Sequence, residues 1–414
     1  MMCKRWSLAA AITLSLITQP AWSADWPQFR GPDRTDVSKE TGLLKQWPEK
    51  GPRKVWTTDK AGLGYAGISV VGNRLYTQGA EGRTEHVMAF DVATGKRLWA
   101  TPIGDLLGNG WGDGPRGTPT VDDDKVYAIS GQGNILCVNA KDGKAVWNRT
   151  MKEMGGSVPG WGYTESPLVD GPRVVLTPGG KKGAIAALDK LTGKTLWQSA
   201  EFTVDAQYSS PIVVEHNGAR QYIQLTMSKL VGVNADDGKV LWTSDWPGRT
   251  AVIPTPIFHN GHVFITSGYG VGCKLVQLAP KHEAKSVYKN DNLVNHHGGV
   301  LLIDGHLYGH SDRKGWTCLD FMTGEPKWQE GRLEKGAISA ADGMLYLLGE
   351  TTGTCVLLEA SPAGWREHGR FTLAPQTQQR NPKGRIWVHP VIANGRLYLR
   401  DQEYIHSYDI LQKT

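Results

Sequence analysis

Aromatic, charged and amide side chains recur in short clusters along this chain, and together they can hold a polar ligand. The thirteen side chains of this set are Arg116, Trp161, Tyr163, Glu165, Gln207, Tyr208, Arg249, His296, His297, Lys335, Arg385, Trp387 and His389. Aromatic faces stack on flat ligands or sugar rings, and charged groups of both signs make charge-assisted hydrogen bonds. The set predicts a site for a polyol, a saccharide or a carboxylate. The alternative is that these are solvated loops whose polar groups only satisfy strand ends.

Metal binding and catalysis receive weaker support from the same residues. His296 and His297 are adjacent, and adjacent residues of a strand point to opposite faces, so they are not expected to share one ion. No spacing resembles a zinc site, and no metal is predicted. Glu165 and His389 form an acid–base pair only if the fold brings them together. The catalytic residues stay unassigned.

The elements that position these clusters are visible as an internal repeat. Five segments end in Trp99, Trp147, Trp197, Trp242 and Trp328. Four residues before each tryptophan stands Gly95, Gly143, Gly193, Gly238 or Gly324. Eight residues before it stands Asp or Asn, and ten before it a small residue. The Asx side chain and the glycine indicate a tight hairpin turn, and the tryptophan lies on the strand that follows.

Each of these hairpins is preceded by another pair of strands. Pro167 to Thr177 and Pro256 to Ser267 are examples in which alternating apolar residues flank an Asp-Gly or Asn-Gly turn. Four strands at a period of roughly 40–45 residues are typical of a β-propeller blade. Tyr288 and Trp365 are interpreted as the closing aromatics of two degenerate units.

Both ends of the chain are expected to share one blade. Three strands follow Trp365 and stop at Ile410, whereas Pro52 to Trp56 is a closing strand with no blade before it. If Trp56 completes the last blade, the ring has no open edge. The sequence therefore predicts an all-β, eight-bladed propeller over residues 24–414, with seven blades as the alternative. The polar clusters precede the innermost strands and should converge on the channel mouth, together with Tyr65, Trp111, Asp113, Asp205 and Asn295.

The motif from Ala187 to Trp197 resembles the pyrroloquinoline-quinone (PQQ) repeat, and the resemblance covers essentially the whole chain after residue 23. The resemblance implies the eight-bladed propeller of quinoprotein alcohol dehydrogenases and of BamB-like proteins. It also makes PQQ with Ca²⁺ a possible cofactor, which this sequence disfavours. The chain has no adjacent cysteine pair, and lysine stands in the Gly179–Gly183 loop, which resembles the position of the family's calcium-ligating glutamate. A lysine repels a cation. No cofactor is firmly implied.

The N-terminus predicts export. Lys4 and Arg5 precede an apolar run, and Ala21-Trp22-Ser23 fits a signal-peptidase site, so residues 1–23 are expected to be removed. No Cys follows the apolar run, so there is no lipobox, and no later run is long enough to span a membrane. The expected location is the periplasm or the exterior.

Composition narrows the class of protein further. Of 414 residues, 51 are Gly and 22 Pro, which argues against a helical bundle. The net charge of +6, without a basic cluster, does not predict nucleic-acid binding. Cys137 and Cys318 occupy small positions of the repeat, Cys273 and Cys355 look equivalent, and all four are expected to be buried free thiols.

These observations predict a monomeric binding or interaction scaffold for a small polar ligand or an envelope protein. An alcohol or sugar oxidoreductase that uses a quinone is the alternative.

Overall fold

The strands form a closed ring of eight radial sheets, as the repeat predicts. The computed structural model describes residues 24–412, and the predicted signal peptide lies outside the described residues. In each blade the four main strands are antiparallel, and in blades 1 to 7 they follow one another in chain order from the axis outwards.

The strand bounds of the first four blades are as follows. Blade 1 comprises Ser69–Val71, Arg74–Glu81, Thr84–Asp91 and Arg97–Asp105. Blade 2 comprises Thr120–Asp122, Lys125–Ile129, Asn134–Asn139 and Ala145–Thr150. Blade 3 comprises Leu168–Asp170, Arg173–Leu176, Ala186–Asp189 and Thr195–Gln198. Blade 4 comprises Ile212–His216, Ala219–Leu225, Lys229–Asn234 and Val240–Asp245.

The other four blades complete the ring. Blade 5 comprises Ile257–His259, His262–Ser267, Gly272–Ala279 and Glu283–Asn290. Blade 6 comprises Val300–Ile303, His306–Ser311, Gly315–Asp320 and Pro326–Glu330. Blade 7 comprises Gly336–Ala341, Met344–Gly349, Thr354–Glu359 and Glu367–Thr372, and Val37–Ser38 joins it in parallel. Blade 8 comprises Val391–Ala393, Arg396–Asp401, Tyr404–Asp409 and, from the other end of the chain, Arg53–Thr58. Short 3₁₀ turns lie at Lys152–Met154 and Pro280–His282.

The repeated tryptophans hold neighbouring blades together. The indole N–H donates to a backbone carbonyl of the next blade in these pairs: Trp56 to Val92 at 2.8 Å, Trp99 to Ala140 at 3.2 Å, Trp147 to Lys190 at 2.9 Å and Trp197 to Ala235 at 3.0 Å. The turn glycine of that next blade lies against the indole. A Cβ on Gly95 would come within 2.6 Å of Trp56, and Gly95 has φ of +71°. Both the turn and the close contact therefore require glycine.

Two of the repeat positions depart from this pattern. Blade 5 turns through Pro280–His282 without the glycine, and Trp242 donates instead to Gln221 of its own blade at 2.6 Å. Tyr288 closes blade 5 as predicted, and its hydroxyl donates to Phe321 at 3.0 Å.

The interpretation of Trp365 as the closing aromatic of blade 7 was wrong. The residue at that register is Gly369, which pairs with Leu357, whereas Trp365 precedes the strand and meets Trp328 edge-on at 6.2 Å. Trp47 from the N-terminal segment fills the missing place, 6.0 Å from Tyr346 and 5.3 Å from Phe371. A Cβ on Gly369 would lie 2.7 Å from Trp47 Cβ. The N-terminal segment thus supplies the aromatic that blade 7 lacks.

The ring closes in blade 8, between the two ends of the chain, as the sequence predicts. Arg53–Thr58 pairs antiparallel with Tyr404–Asp409. Arg400, fully buried in blade 8, donates to carbonyls of the linker into blade 1, including Ala66 at 2.8 Å and Gly62 at 3.1 Å. Burial lowers the pKa of Arg400 to about 9. The junction between the two chain ends is therefore held by strand pairing and by one buried guanidinium.

The four cysteines are buried and unpaired, as predicted. Cys137 and Cys318 pair with Trp147 and Trp328 at the small position. The expected equivalence of Cys273 was wrong, because Leu275 pairs with Tyr288 in blade 5. Cys355 is displaced in the same way, since it faces Phe371 rather than Gly369.

Residues 26–38 cross the central channel. Their hydrogen bonds reach the innermost strands, or the residues just before them, in six blades: Trp26 with Val70, Pro27 with Val121, Arg34 with Ser166, Pro167 and Pro211, Arg30 with Val300, and Asp36 with Ala340. These partners lie on opposite sides of the ring, so the segment spans the axis. Burial lowers the pKa of Arg34 to about 9. The channel is thereby closed from within by the chain itself.

Candidate functional site

A cavity of about 480 Å³ lies above this segment at the channel mouth. Residues from the linkers into the innermost strands of all eight blades line it. Nine of the thirteen predicted residues are among them: Arg116, Trp161, Tyr208, His296, His297, Lys335, Arg385, Trp387 and His389. Tyr65 and Trp111 line it as well. The blade register brings these linkers together, although they are far apart in sequence.

Four predicted residues lie outside the cavity lining. Tyr163 is buried between blades, and its hydroxyl donates to Pro178 at 2.9 Å. Gln207 accepts a bond from Val252 N at 3.3 Å, and Arg249 is exposed. Glu165 is buried and accepts from Thr177 N at 2.5 Å. Burial raises the pKa of Glu165 to about 7.

The floor of the cavity comes from the N-terminal segment, which sequence reasoning missed as part of the site. Trp26, Phe29, Arg30 and Asp36 contribute to the lining. The one available signal was the mixture of aromatic and charged residues in Trp26-Pro27-Gln28-Phe29-Arg30, which follows the predicted cleavage site without any strand pattern. Because these residues do not repeat, nothing in the sequence placed them at the axis.

Asp36 is the centre of a buried hydrogen-bond and charge network on this floor. Its Oδ2 lies 3.1 Å from Arg30 Nε and 3.0 Å from His389 Nδ1. His389 Nε2 lies 2.7 Å from the carbonyl oxygen of His297. Both ring nitrogens of His389 are thus occupied, and its carboxylate partner is Asp36 rather than Glu165. Asp36 Oδ1 is buried and has no hydrogen-bond partner.

A second network lies on the wall formed by blades 5 to 8. Lys335 Nζ contacts His296 Nδ1 and lies 3.6 Å from Asp312 Oδ1. Burial, with Lys335 nearby, lowers the pKa of His296 to about 4. The same two causes hold the pKa of His297 well below its usual range. The two histidines therefore stay neutral at pH 7, which leaves Lys335 as the cation of this histidine cluster.

Glu350 is the other carboxylate in the lining. Its Oε2 accepts from Trp387 Nε1 at 3.1 Å. His297 Nε2 lies 3.2 Å from the same oxygen, in a geometry that makes no hydrogen bond. Burial raises the pKa of Glu350 above its ordinary value. This carboxyl is therefore less readily ionised than an exposed glutamate.

Three further cations on the rim bind backbone carbonyls or aromatic rings rather than carboxylates. Arg116 donates to Gly114 at 2.6 Å and lies over the ring of Tyr65 at 5.3 Å. Arg385 donates to Gly384 at 2.7 Å, and Lys383 lies 5.8 Å from the ring of Trp111. Their positive charge is therefore presented to the cavity.

Aromatic rings complete the walls in contacting pairs. Tyr65 and Trp387 have ring centroids 4.9 Å apart, and Trp161 and Tyr208 have centroids 6.0 Å apart. Trp111 at the mouth is 53% exposed. Flat apolar faces and cations thus surround the same space.

His296 and His297 both line the cavity, because they lie in the linker before Val300–Ile303 rather than on a strand. Over residues 24–412, no group of three or more His, Cys, Asp or Glu side chains is arranged to hold a metal ion. In the same range no helix is long and apolar enough to cross a bilayer.

Comparison with known proteins points to one family. A sequence profile described as "Outer membrane protein assembly factor BamB" matches residues 83–330. The BamB protein of Salmonella typhimurium is 25% identical over 330 residues, which cover 76% of this chain and 78% of that protein.

Solved structures give the same fold. BamB from Moraxella catarrhalis has a TM-score of 0.63 at 14% identity, and the match covers 87% of this chain and 98% of that one. A quinohemoprotein alcohol dehydrogenase from Comamonas testosteroni has a TM-score of 0.66 at 12% identity, covering 94% and 81%. At these identities the structural likenesses establish the propeller fold alone.

Proposed function

Because this chain belongs to the family of the outer membrane protein assembly factor BamB, we propose that it is an exported binding scaffold that holds a polar ligand in the cavity at the channel mouth. The observation that carries the proposal is the cavity itself, about 480 Å³, which collects aromatic and charged side chains from all eight blades. Pockets of this size accept small molecules, and loops on a rigid scaffold are common binding sites.

The donor set of the cavity favours a scaffold over a Ca²⁺–quinone centre. Ca²⁺ takes six to eight oxygen ligands, whereas the lining offers two carboxylates, Asp36 and Glu350. Asp36 already pairs with Arg30 and His389, and burial raises the pKa of Glu350. The rim cations repel a metal ion further. The residues present do not fit that cofactor, and no reaction step is assigned through it.

Thermal unfolding in the presence of polyols, saccharides and carboxylates tests the proposal. A ligand at a hundred times its Kd adds about 2.7 kcal/mol, which raises the Tm of a domain of this size by about 3 °C. Trp161→Ala should abolish the shift, whereas Leu191→Ala, at a side chain 62% exposed and outside the cavity lining, should retain it. PQQ with Ca²⁺ is the matched comparison. A shift with that pair alone, with dye reduction when alcohols are added, would favour the quinone oxidoreductase.

A protein-binding role on the outer rim is the second candidate. Leu98, Val146 and Leu196 directly precede the closing tryptophans of blades 1 to 3 and are 44%, 40% and 50% exposed. Three apolar side chains at matching positions of adjacent outer strands suit a protein partner. The relatives named as outer membrane protein assembly factors make an envelope protein the expected class.

Crosslinking in the cell envelope distinguishes this role from ligand binding alone. An outer-membrane insertase should be captured by the wild-type protein and lost with Leu98→Glu and Leu196→Glu. Leu191→Glu, on a turn of blade 3, is the matched control. Equal capture by all three variants would exclude the rim as the docking surface.

A further inference from the structure

The cavity has an excess of positive charge. Its lining contains five cationic side chains, Arg30, Arg116, Lys335, Lys383 and Arg385, and two carboxylates, Asp36 and Glu350. Arg30 pairs with Asp36, so the other four cations share Glu350 and the nearby Asp312. An anion entering the cavity therefore gains charge-assisted hydrogen bonds without displacing an existing ion pair at Arg116, Lys383 or Arg385.

Two of the cations, Lys335 and Arg385, lie across the ring from one of the aromatic pairs, Trp161 and Tyr208. Lys335 enters from blade 7 and Arg385 from the linker into blade 8, whereas Trp161 and Tyr208 enter from blades 3 and 4. In a ring of eight blades, blades 3 and 4 face blades 7 and 8. A ligand with its acidic group at Lys335 and Arg385 therefore turns its body towards the Trp161–Tyr208 pair.

One carboxylate oxygen on the floor has no hydrogen-bond donor. Asp36 lines the cavity, is fully buried, and its Oδ1 has no partner. A buried acceptor without a partner is costly, and a ligand hydroxyl would satisfy it. An aromatic polycarboxylate without hydroxyl groups offers no such donor and brings further negative charge close to Asp36.

We propose that the cavity binds an acidic saccharide: a sugar that carries a carboxylate, with its acid at Lys335 and Arg385, its ring face on the Trp161–Tyr208 pair, and a hydroxyl on Asp36. This assignment rests on the proposed ligand-binding function and names its chemical class. A volume of about 480 Å³ accommodates one or two sugar rings.

Binding to an array of acidic and neutral saccharides, each uronic acid paired with its neutral parent sugar, tests the assignment. Calorimetry on the pairs should give at least ten-fold tighter binding to the acid, and the affinity should fall as salt increases. Equal affinity within the pairs, or binding restricted to neutral sugars or aromatic acids, would overturn the saccharide class and leave the cavity a ligand site. If no compound binds, including the polyols and carboxylates of the thermal-unfolding test, the proposed function is overturned as well.

Variants locate the acid within the cavity. Lys335→Met and Arg385→Met should each lower the affinity for the acidic sugar about ten-fold and leave the affinity for its neutral parent unchanged. Asp36→Asn should lower the affinity for both sugars, because it alters the acceptor for the ligand hydroxyl. Asp36 also bonds Arg30 and His389, so this variant is informative only if its circular dichroism spectrum is unchanged. If it unfolds, the Lys335 and Arg385 variants alone test the assignment. Lys181→Met, an exposed lysine outside the lining, is the control, and a loss there equal to that of Lys335→Met would refute the assignment.

Discussion

Replacing Trp47 by alanine tests whether the N-terminal segment supplies the aromatic that blade 7 lacks. The side chain is 3% exposed and contacts Tyr346 and Phe371. Truncating a buried tryptophan costs about 3–5 kcal/mol. With an unfolding entropy of about 2 cal/mol/K per residue over roughly 390 residues, a 4 kcal/mol loss lowers Tm by about 5 °C.

Trp56→Ala in blade 8 is the matched comparison for this variant. Trp56 donates to Val92 at 2.8 Å, whereas Trp47 Nε1 has no hydrogen-bond partner. The blade 8 variant should therefore lose about 1 kcal/mol more. Urea unfolding followed by tryptophan fluorescence and circular dichroism measures both, with Leu191→Ala as the exposed control. A loss of unfolding free energy below about 1 kcal/mol for Trp47→Ala would refute the reasoning, since truncating a buried side chain that completes a blade should destabilise the protein by more than that.

Three further changes probe the buried charges. Burial raises the pKa of Glu165 to about 7, above the ~4.3 of an unfolded glutamate. The folded chain therefore keeps a proton that the unfolded chain releases, and stability falls as pH rises through that interval. The free energy of unfolding of Glu165→Gln, relative to wild type, should rise by roughly 3 kcal/mol between pH 5 and pH 8, and a constant difference would contradict this. Arg400→Met should lower the free energy of unfolding by at least about 3 kcal/mol, because several buried carbonyls lose their donor. If the junction of blades 8 and 1 depends on Arg400, hydrogen exchange in residues 59–68 should also become faster. Ala24 N lies 3.1 Å from Glu40 Oε1 in a partly buried contact, so cleavage after Ser23 would turn this hydrogen bond into an ion pair. Intact mass should give a chain that starts at Ala24. Glu40→Gln should destabilise that chain by about 2 kcal/mol and a chain that retains the leader by much less.

The blades could be predicted because each repeated residue type reports one repeated contact. The turn glycine is needed for both its backbone conformation and its contact with the preceding blade's indole, as at Gly95 and Trp56. Where the contact is made differently, the pattern misleads. Trp365 has the right residue type at nearly the right spacing, but it covers Trp328 while Trp47 fills blade 7. The sequence cannot show that substitution, because Trp47 and Gly369 are 322 residues apart.

The cavity was predictable by its linkers but not by every side chain. The first strand of each blade lies at the axis, so the residues before it reach the mouth. Which of them turn inwards depends on local backbone geometry, and within one linker Trp161 lines the cavity while Tyr163 is buried between blades. Asp36 and Glu350 were missed for a different reason. One lies in the non-repeating N-terminal segment, and the other follows the second strand of blade 7, where no linker was expected to contribute.

Ring closure and the candidate site share one stretch of chain. Residues 26–38 form the floor, Trp47 completes blade 7, and Arg53–Thr58 completes blade 8. A ligand that bonds Asp36 therefore binds only the state in which this stretch is seated, and its binding energy adds to the stability of the seated state. The reverse also holds, because a segment that leaves the channel takes Arg30 and Asp36 with it and removes the floor. Under the proposed function, ligand binding at the mouth and closure of the ring are therefore linked equilibria, coupled through residues 24–58.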